Sequence, residues 1–134
     1  MIKVYISGTF DLFHVGHVNV LERAKGLGDF LIVGVNTDEC LEGYGKRAII
    51  PYEQRKRIIC EIRCVDEVIP HNSRAERVPG DIRVIGPDWH SIEPKCANQM
   101  ITAGAEAADG QKLVIIPRTP GISTTIIRER ILRG

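Results

Sequence analysis

A chain of 134 residues has the length of one domain, enough to bury roughly two thirds of its unfolded surface in a proper core. Lysine and arginine number 18 against 17 acidic residues, a net charge of +1. That balance argues against nucleic-acid binding by bulk electrostatics while permitting a local basic site. The four cysteines, Cys40, Cys60, Cys64 and Cys96, form no CxxC and no disulfide-like spacing, which fits a reduced, cytoplasmic setting. There is no basic-then-apolar leader pattern and no apolar run of membrane-spanning length, so a soluble protein with no membrane partner is expected.

Ile2 to Ser7 is β-branched and apolar and predicts a first strand. The next stretch, SGTFDLFHVGH at Ser7–His17, leads into a helical pattern (Val18, Leu21, Ala24, Leu27) that is expected to run from about Gly16 to Leu27 and stop at Gly28. Strand, glycine-containing turn and helix together can hold an anion at the helix N-terminus, where free N–H groups and the macrodipole meet the ligand. His14 and His17 stand at that mouth, with Gly16 between them allowing a bulky ligand near the backbone. Imidazole N–H groups there can donate to phosphate oxygens whose charge grows during reaction. The spacing also fits an ordinary strand-turn-helix corner with two hydrogen-bonded histidines. A zinc site fits poorly, since no cysteine pair or carboxylate stands in ligand spacing. Asp11 is the only close carboxylate, and in this turn it is as readily a residue that fixes the loop.

Phe30 to Val35 is apolar without alternation, as in a strand buried on both faces of a parallel sheet. Asn36 to Ile50 is the least regular part. Gly43, Gly45, Lys46 and Arg47 suggest a flap that closes over an anion, although composition alone favours a solvated loop. Pro51 precedes a helix predicted over Tyr52 to Arg63. Arg55 and Arg63, eight apart on such a helix, would lie within about 80° of one another, either clamping phosphate bidentately or forming a solvated basic face. Val65 to Ile69 is a short strand. His71 to Gly80 is polar, with His71 expected at the surface. Ile82 to Ile85 is a strand followed by GPDWHS, where Trp89 can stack on a base or cap the core edge, and Asp88 can accept from ribose or base N–H. Pro94 to Ala108 reads as helix in its middle. Leu113 to Ile116 is a fifth strand. Arg118 to Thr125, RTPGISTT, then leads into a final helix through about Leu132, with Ser123, Thr124 and Thr125 crowding its N-terminus as a second anion cradle.

Strands alternate with helices throughout, so the expected fold is α/β, a doubly wound, Rossmann-like, mostly parallel five-stranded sheet flanked by helices. The segments singled out each follow a strand, which places them together at the carboxyl edge of the sheet.

GTFDLFHVGH resembles the GTFDxxHxGH element of the HxGH nucleotidyltransferase superfamily, and RTPGISTT resembles the RTxGIST element of its cytidylyltransferase branch. LERAKGLGDFLIVGVNTDE, YEQRKRIICEIRCVDEVIP and the Asp88–Trp89 pair are similar to the short bacterial glycerol-3-phosphate cytidylyltransferases, so the likeness covers nearly the whole chain. The resemblance implies a single nucleotidyltransferase domain over residues 1–134, transferring CMP from CTP to a small polyol phosphate, with Mg²⁺ carried by the nucleotide, and a homodimer. It implies catalytic roles for His14, His17 and Lys46. It puts Thr9, Phe10, Arg63, Asp88, Trp89, Arg118, Thr119, Ser123 and Thr124 on the nucleotide, and Lys46 and Arg55 on the acceptor. Tyr44 stands where such enzymes often carry another flap lysine, the segment from Pro70 to Asp81 is shorter than theirs, and Pro87 replaces an acidic residue. KRAIIPYEQR also resembles sugar-phosphate adenylyltransferases, which leaves an adenylyl transfer to a sugar or cofactor phosphate as the second reading. Those relatives usually lack the pair at Arg118 and Thr119.

Overall fold

A computed structural model of the chain describes residues 1–72, 78–85, 110–117 and 119–134. The helix expected within Pro94–Ala108 lies outside these residues. Five strands form one sheet: β1 (Lys3–Gly8), β2 (Phe30–Asn36), β3 (Glu67–His71), β4 (Ile82–Ile85) and β5 (Lys112–Ile115). Four helices are described: α1 (Val15–Lys25), α2 (Asp38–Glu42), α3 (Tyr52–Cys60) and α4 (Thr124–Arg133).

The strand order is β3-β2-β1-β4-β5, and every pairing is parallel. β1 is therefore central. The chain builds outward to β3 on one side, then returns to the other side of β1 to lay down β4 and β5. The crevice beyond the carboxyl ends of β1 and β4 is the switch point where such sheets take ligands. Ile6 sits opposite Val33 of β2 and Val84 of β4, and these three join Val4, Leu31 and Val35 in the core beside Leu21 and Ala24 of α1 and Ile59 of α3. Full burial of each such branched side chain contributes roughly 1.5–3 kcal/mol, which is why unbroken Val/Ile runs rather than alternating ones mark these strands.

The opposite face carries a polar pair. Tyr5 reaches across the neighbouring strand and its hydroxyl lies 2.6 Å from Nδ1 of His71, in buried surroundings. A Cβ at Gly34 would stand 1.9 Å from that hydroxyl, so only glycine leaves the phenol its path. His71, expected at the surface, is instead 2% exposed. It ends β3 inside the protein because it has a buried partner to satisfy its ring.

Helix ends also differ from expectation. α1 stops at Lys25 with Gly26 as cap, and the last residues before β2 continue in tighter i→i+3 bonds, Leu27 to Ala24 and Gly28 to Lys25. α3 likewise ends at Cys60 and unwinds through Glu61 to Ile58, Ile62 to Ile59 and Val65 to Ile62. α2 falls in the stretch expected to be irregular, started by the Thr37 hydroxyl accepting from the Cys40 N–H.

Candidate active site

The turn between β1 and α1 is strained and braced. Phe10 (φ 54°) and Leu12 (φ 49°) occupy the left-handed region without being glycine, a conformation that costs of order 1–3 kcal/mol per residue and persists only where its surroundings fix it. Asp11 supplies much of that fixing. Its Oδ1 accepts from the N–H of Leu12 (3.1 Å) and Ile50 (2.9 Å), and its Oδ2 from the N–H of Ile49 (2.8 Å) and from Arg128 Nη2 (3.0 Å). Burial pushes its carboxyl pKa up, but the bonds from Ile49, Ile50 and Arg128 outweigh burial and hold it below the usual carboxylate value. Its carbonyl accepts from the Thr124 hydroxyl at 3.0 Å. One buried aspartate thus joins the turn, the flap and α4.

The two histidines start α1. Nδ1 of His14 accepts from the Gly16 N–H at 3.0 Å, and Nδ1 of His17 accepts from the His14 N–H at 3.2 Å, a reciprocal cap made of imidazoles. Since both Nδ1 atoms act as acceptors, both neutral rings carry their proton on Nε2. The rings stack with centroids 3.8 Å apart, and Phe13 and Phe10 flank His17 at 5.1 and 5.5 Å. Burial lowers the His14 pKa. Burial, helped by the neighbouring His14 and opposed by Asp11, pushes His17 down to about 4. The pair is therefore neutral near pH 7, a source of two N–H donors without charge. Gly16 serves this stack directly, since a Cβ there would come within 2.8 Å of the His14 ring. Its role is to admit the imidazole, where a ligand's approach was expected.

Across from the histidines, β5 leads into the N-terminus of α4. The Ser123 hydroxyl caps it by accepting from the Ile126 N–H. Thr119 is held to α1 by the amide of Asn19 at 3.0 Å. Between these walls lies a cavity of about 350 Å³, lined by Gly8, His14, His17, Thr119, Ser123 and Thr124 among others. A second cavity of about 600 Å³ adjoins it, lined by Thr9, Asp11, Lys46, Arg47 and Arg128. The two share Phe10, His17, Thr124 and Thr125 as a common wall. Histidine pair and hydroxyl cluster do face one bowl.

Two expected site residues are not brought there. Arg55 is 0% exposed. Its Nε donates to the Ile50 carbonyl, Nη1 to the carbonyls of Thr9 and Asn36, and Nη2 to Asp38, all at 2.7–2.8 Å. With four of five N–H groups engaged, it braces turn, β2 and flap in place of gripping an acceptor phosphate. Arg63 lies beyond the end of α3 and is exposed. Asp66, three residues on, bonds to Leu31 near the start of β2, so Arg63 sits at the edge of the sheet opposite the bowl. The two arginines form no clamp, because the helix that would align them stops at Cys60. Asp88, Trp89 and Arg118 lie outside the described residues. Arg128, by contrast, escaped the sequence reading. Its signal was its spacing, one helical turn past Thr124 and on the same face.

Residues 5–130 match the family model described as Cytidylyltransferase-like. The chain belongs to that family. Members similar to it include the glycerol-3-phosphate cytidylyltransferase of Bacillus subtilis (strain 168), 42% identical with 98% of each chain covered, and that of Staphylococcus aureus (strain NCTC 8325 / PS 47), 35% identical with 98% of this chain and 96% of the relative covered. Among solved structures, the lipopolysaccharide core biosynthesis protein from Thermoplasma volcanium GSS1 superposes with a TM-score of 0.66 at 28% identity, covering 89% of this chain and 97% of that one. As a cytidylyltransferase-like protein the chain is a nucleotidyltransferase. Among the described residues no helix is long and apolar enough to cross a membrane.

Proposed function

We propose that the protein transfers CMP from CTP to glycerol 3-phosphate, giving CDP-glycerol and pyrophosphate. The observation that carries this reading is the shared wall of the two cavities, formed in part by His17 and Thr124; in this reading the nucleotide takes one space and the acceptor the other. The near full-length similarity to glycerol-3-phosphate cytidylyltransferases supports the choice of base and acceptor.

The acceptor's phosphate is largely dianionic at neutral pH, its second pKa being about 6, so it attacks without a general base. One of its oxygens bonds to the α-phosphorus of CTP. The bond from that phosphorus to the oxygen bridging to the β-phosphate breaks, and pyrophosphate leaves with the electron pair. The protein must bring two anions together and neutralise the α-phosphate as it becomes five-coordinate. Positioning and fixed donors carry such catalysis. Nε2–H of His14 and His17 donate to the triphosphate, and their low pKa keeps them as donors that exchange no proton. The hydroxyls and free N–H groups of Thr119, Ser123 and Thr124 hold ribose and phosphates together with Arg118, and Asp88 and Trp89 serve the nucleoside end. Thr9 and Phe10 border the nucleotide, and Lys46 reaches the reacting phosphates from the flap.

Among the described residues no group of three or more histidine, cysteine or acidic side chains could hold a metal ion, and Asp11 is spent on four hydrogen bonds. Mg²⁺ would accordingly come with the triphosphate, whose oxygens are its usual ligands, and would supply charge neutralisation there. Ile58 is exposed on α3, and that helix offers a surface for a homodimer working in the cytoplasm.

The test is pyrophosphate release with each of the four nucleoside triphosphates, crossed with a panel of phosphorylated alcohols and sugars. CTP with glycerol 3-phosphate should be the fastest pair. ATP with a sugar phosphate as the fastest pair would replace this reading with the adenylyl one. Tight CTP binding without turnover on any acceptor would make the protein a binding module.

A further inference from the structure

Within the reading just given, the acceptor's phosphate needs a cationic seat on the side of His17 away from the nucleotide. Arg55 cannot provide it, being buried and engaged on all sides. Tyr44 of the flap is not a cation. The larger cavity nonetheless holds three cations: Lys46 and Arg47 from the flap, and Arg128 from α4. Among the described residues Asp11 is the one carboxylate in its lining, and its two oxygens are already taken by Leu12, Ile49, Ile50 and Arg128. His17 on the shared wall is neutral. The described residues of the lining therefore sum to a net charge of +2, which matches a phosphate dianion.

Arg128 has the geometry of a reader. Its side chain is 43% exposed, and Asp11 holds it through Nη2 alone at 3.0 Å. Among the described residues Nε and Nη1 have no hydrogen-bond partner. A guanidinium anchored by one corner on a buried carboxylate is oriented in advance, and its other N–H groups remain for a bidentate contact. Thr124, one turn earlier on the same face of α4, touches both cavities, so the anchor sets Arg128 one helical turn from the reacting end. We infer that Arg128 binds the phosphate of the acceptor and, with Lys46 and Arg47, sets the preference for a dianionic acceptor.

The experiment compares Arg128→Gln, Arg128→Lys and Arg130→Gln with the unaltered protein. Arg130 is exposed on α4 and lines neither cavity. Steady-state kinetics with CTP and glycerol 3-phosphate should show the KM for the acceptor rising at least tenfold in Arg128→Gln, with the KM for CTP within twofold. Arg128→Lys should recover part of that rise, and Arg130→Gln should leave both constants unchanged. The acceptor KM of the unaltered protein should climb with ionic strength more steeply than that of Arg128→Gln. An unchanged acceptor KM in Arg128→Gln overturns the inference while leaving cytidylyl transfer intact. Equal rises in both KM values with no recovery by lysine also overturn it, since they mark Arg128 as a strut for Asp11. Calorimetric titration of glycerol 3-phosphate into the same proteins decides the matter apart from turnover. Weaker binding by Arg128→Gln, partly restored in Arg128→Lys and absent in Arg130→Gln, upholds the inference even if the unaltered protein uses another acceptor or none, and equal binding by all four proteins overturns it.

Discussion

The two sides of the bowl are built on different terms. The histidine turn is over-determined: Phe10 and Asp11 are buried, two residues sit at positive φ, and Asp11, Arg55 and the stacked aromatic rings hold the backbone from three directions. The flap is tied down at Ile49 and Ile50 but exposes Gly45, Lys46 and Arg47, and α4 is lightly attached. α4 has no buried residue, and among the described residues it meets the histidine turn through Thr124 and Arg128 on Asp11. Fixed donors belong on the first kind of frame, where a shift of an ångström is costly to a reaction. Cations that must follow an incoming anion belong on the second, where local opening is cheap.

This contrast can be broken or sharpened by experiment. The largest effect is expected on the rigid side. His14→Ala or His17→Ala should each lower kcat by about 10²–10³, the usual loss for one fixed donor to a developing anion, with the fold retained by circular dichroism. Turnover near normal in both variants would remove the histidines from the chemistry. Next comes the brace. Arg55→Met leaves the carbonyls of Thr9, Asn36 and Ile50 without their donor, and should cost on the order of 3 kcal/mol in urea unfolding. An exposed charge such as Arg130 should cost less than about 0.5 kcal/mol when replaced by methionine, and similar losses at the two positions would erase the distinction.

A pH effect follows. Folded His17 takes its proton only near pH 4, whereas the unfolded imidazole takes it near 6.5. Between those values the unfolded chain binds more protons, so stability that is complete above about pH 6.5 is lost as pH falls toward 4. Allowing for solvent screening of a partly exposed ring, the loss should be on the order of 2 kcal/mol. Urea titrations from pH 7 to 4 should show it, and His17→Asn should flatten the slope. The smallest effect is expected at the seam between the two sides. Asn19→Ala removes the amide that holds Thr119 and should cost about 1 kcal/mol, with a few-fold rise in the KM for CTP and little change in that for the acceptor.

What could be read from residues alone followed the same division. The strands were legible because Val4, Ile6, Leu31, Val33 and Val84 stand in β-branched runs whose burial on both faces leaves no other use for them. The bowl was legible because each loop that forms it follows a strand, and parallel strands end on one edge. What stayed hidden depended on contacts far apart in sequence. His71 looked like the start of a polar stretch because its partner Tyr5 is 66 residues away and the space between them is kept by Gly34. Arg55 looked free because nothing local reveals that the carbonyls of Thr9 and Asn36 converge on it. Arg63 looked aligned with it because Ile62 continues the apolar spacing of α3, although the chain has already begun to unwind there to feed β3. α2 is too short to show a period, and its one cue is a threonine followed by two acidic residues.

The reciprocal cap on α1 has a last consequence. In most enzymes the groups that start a helix and the groups that do chemistry can be exchanged independently. Here the lone pair that fastens each imidazole to the peptide backbone also decides where its hydrogen sits. His14→Asn would initiate the helix equally well, but its amide is shorter than an imidazole and its N–H groups would not stand where Nε2–H does, so in the proposed mechanism architecture and reactivity at this position are inherited together.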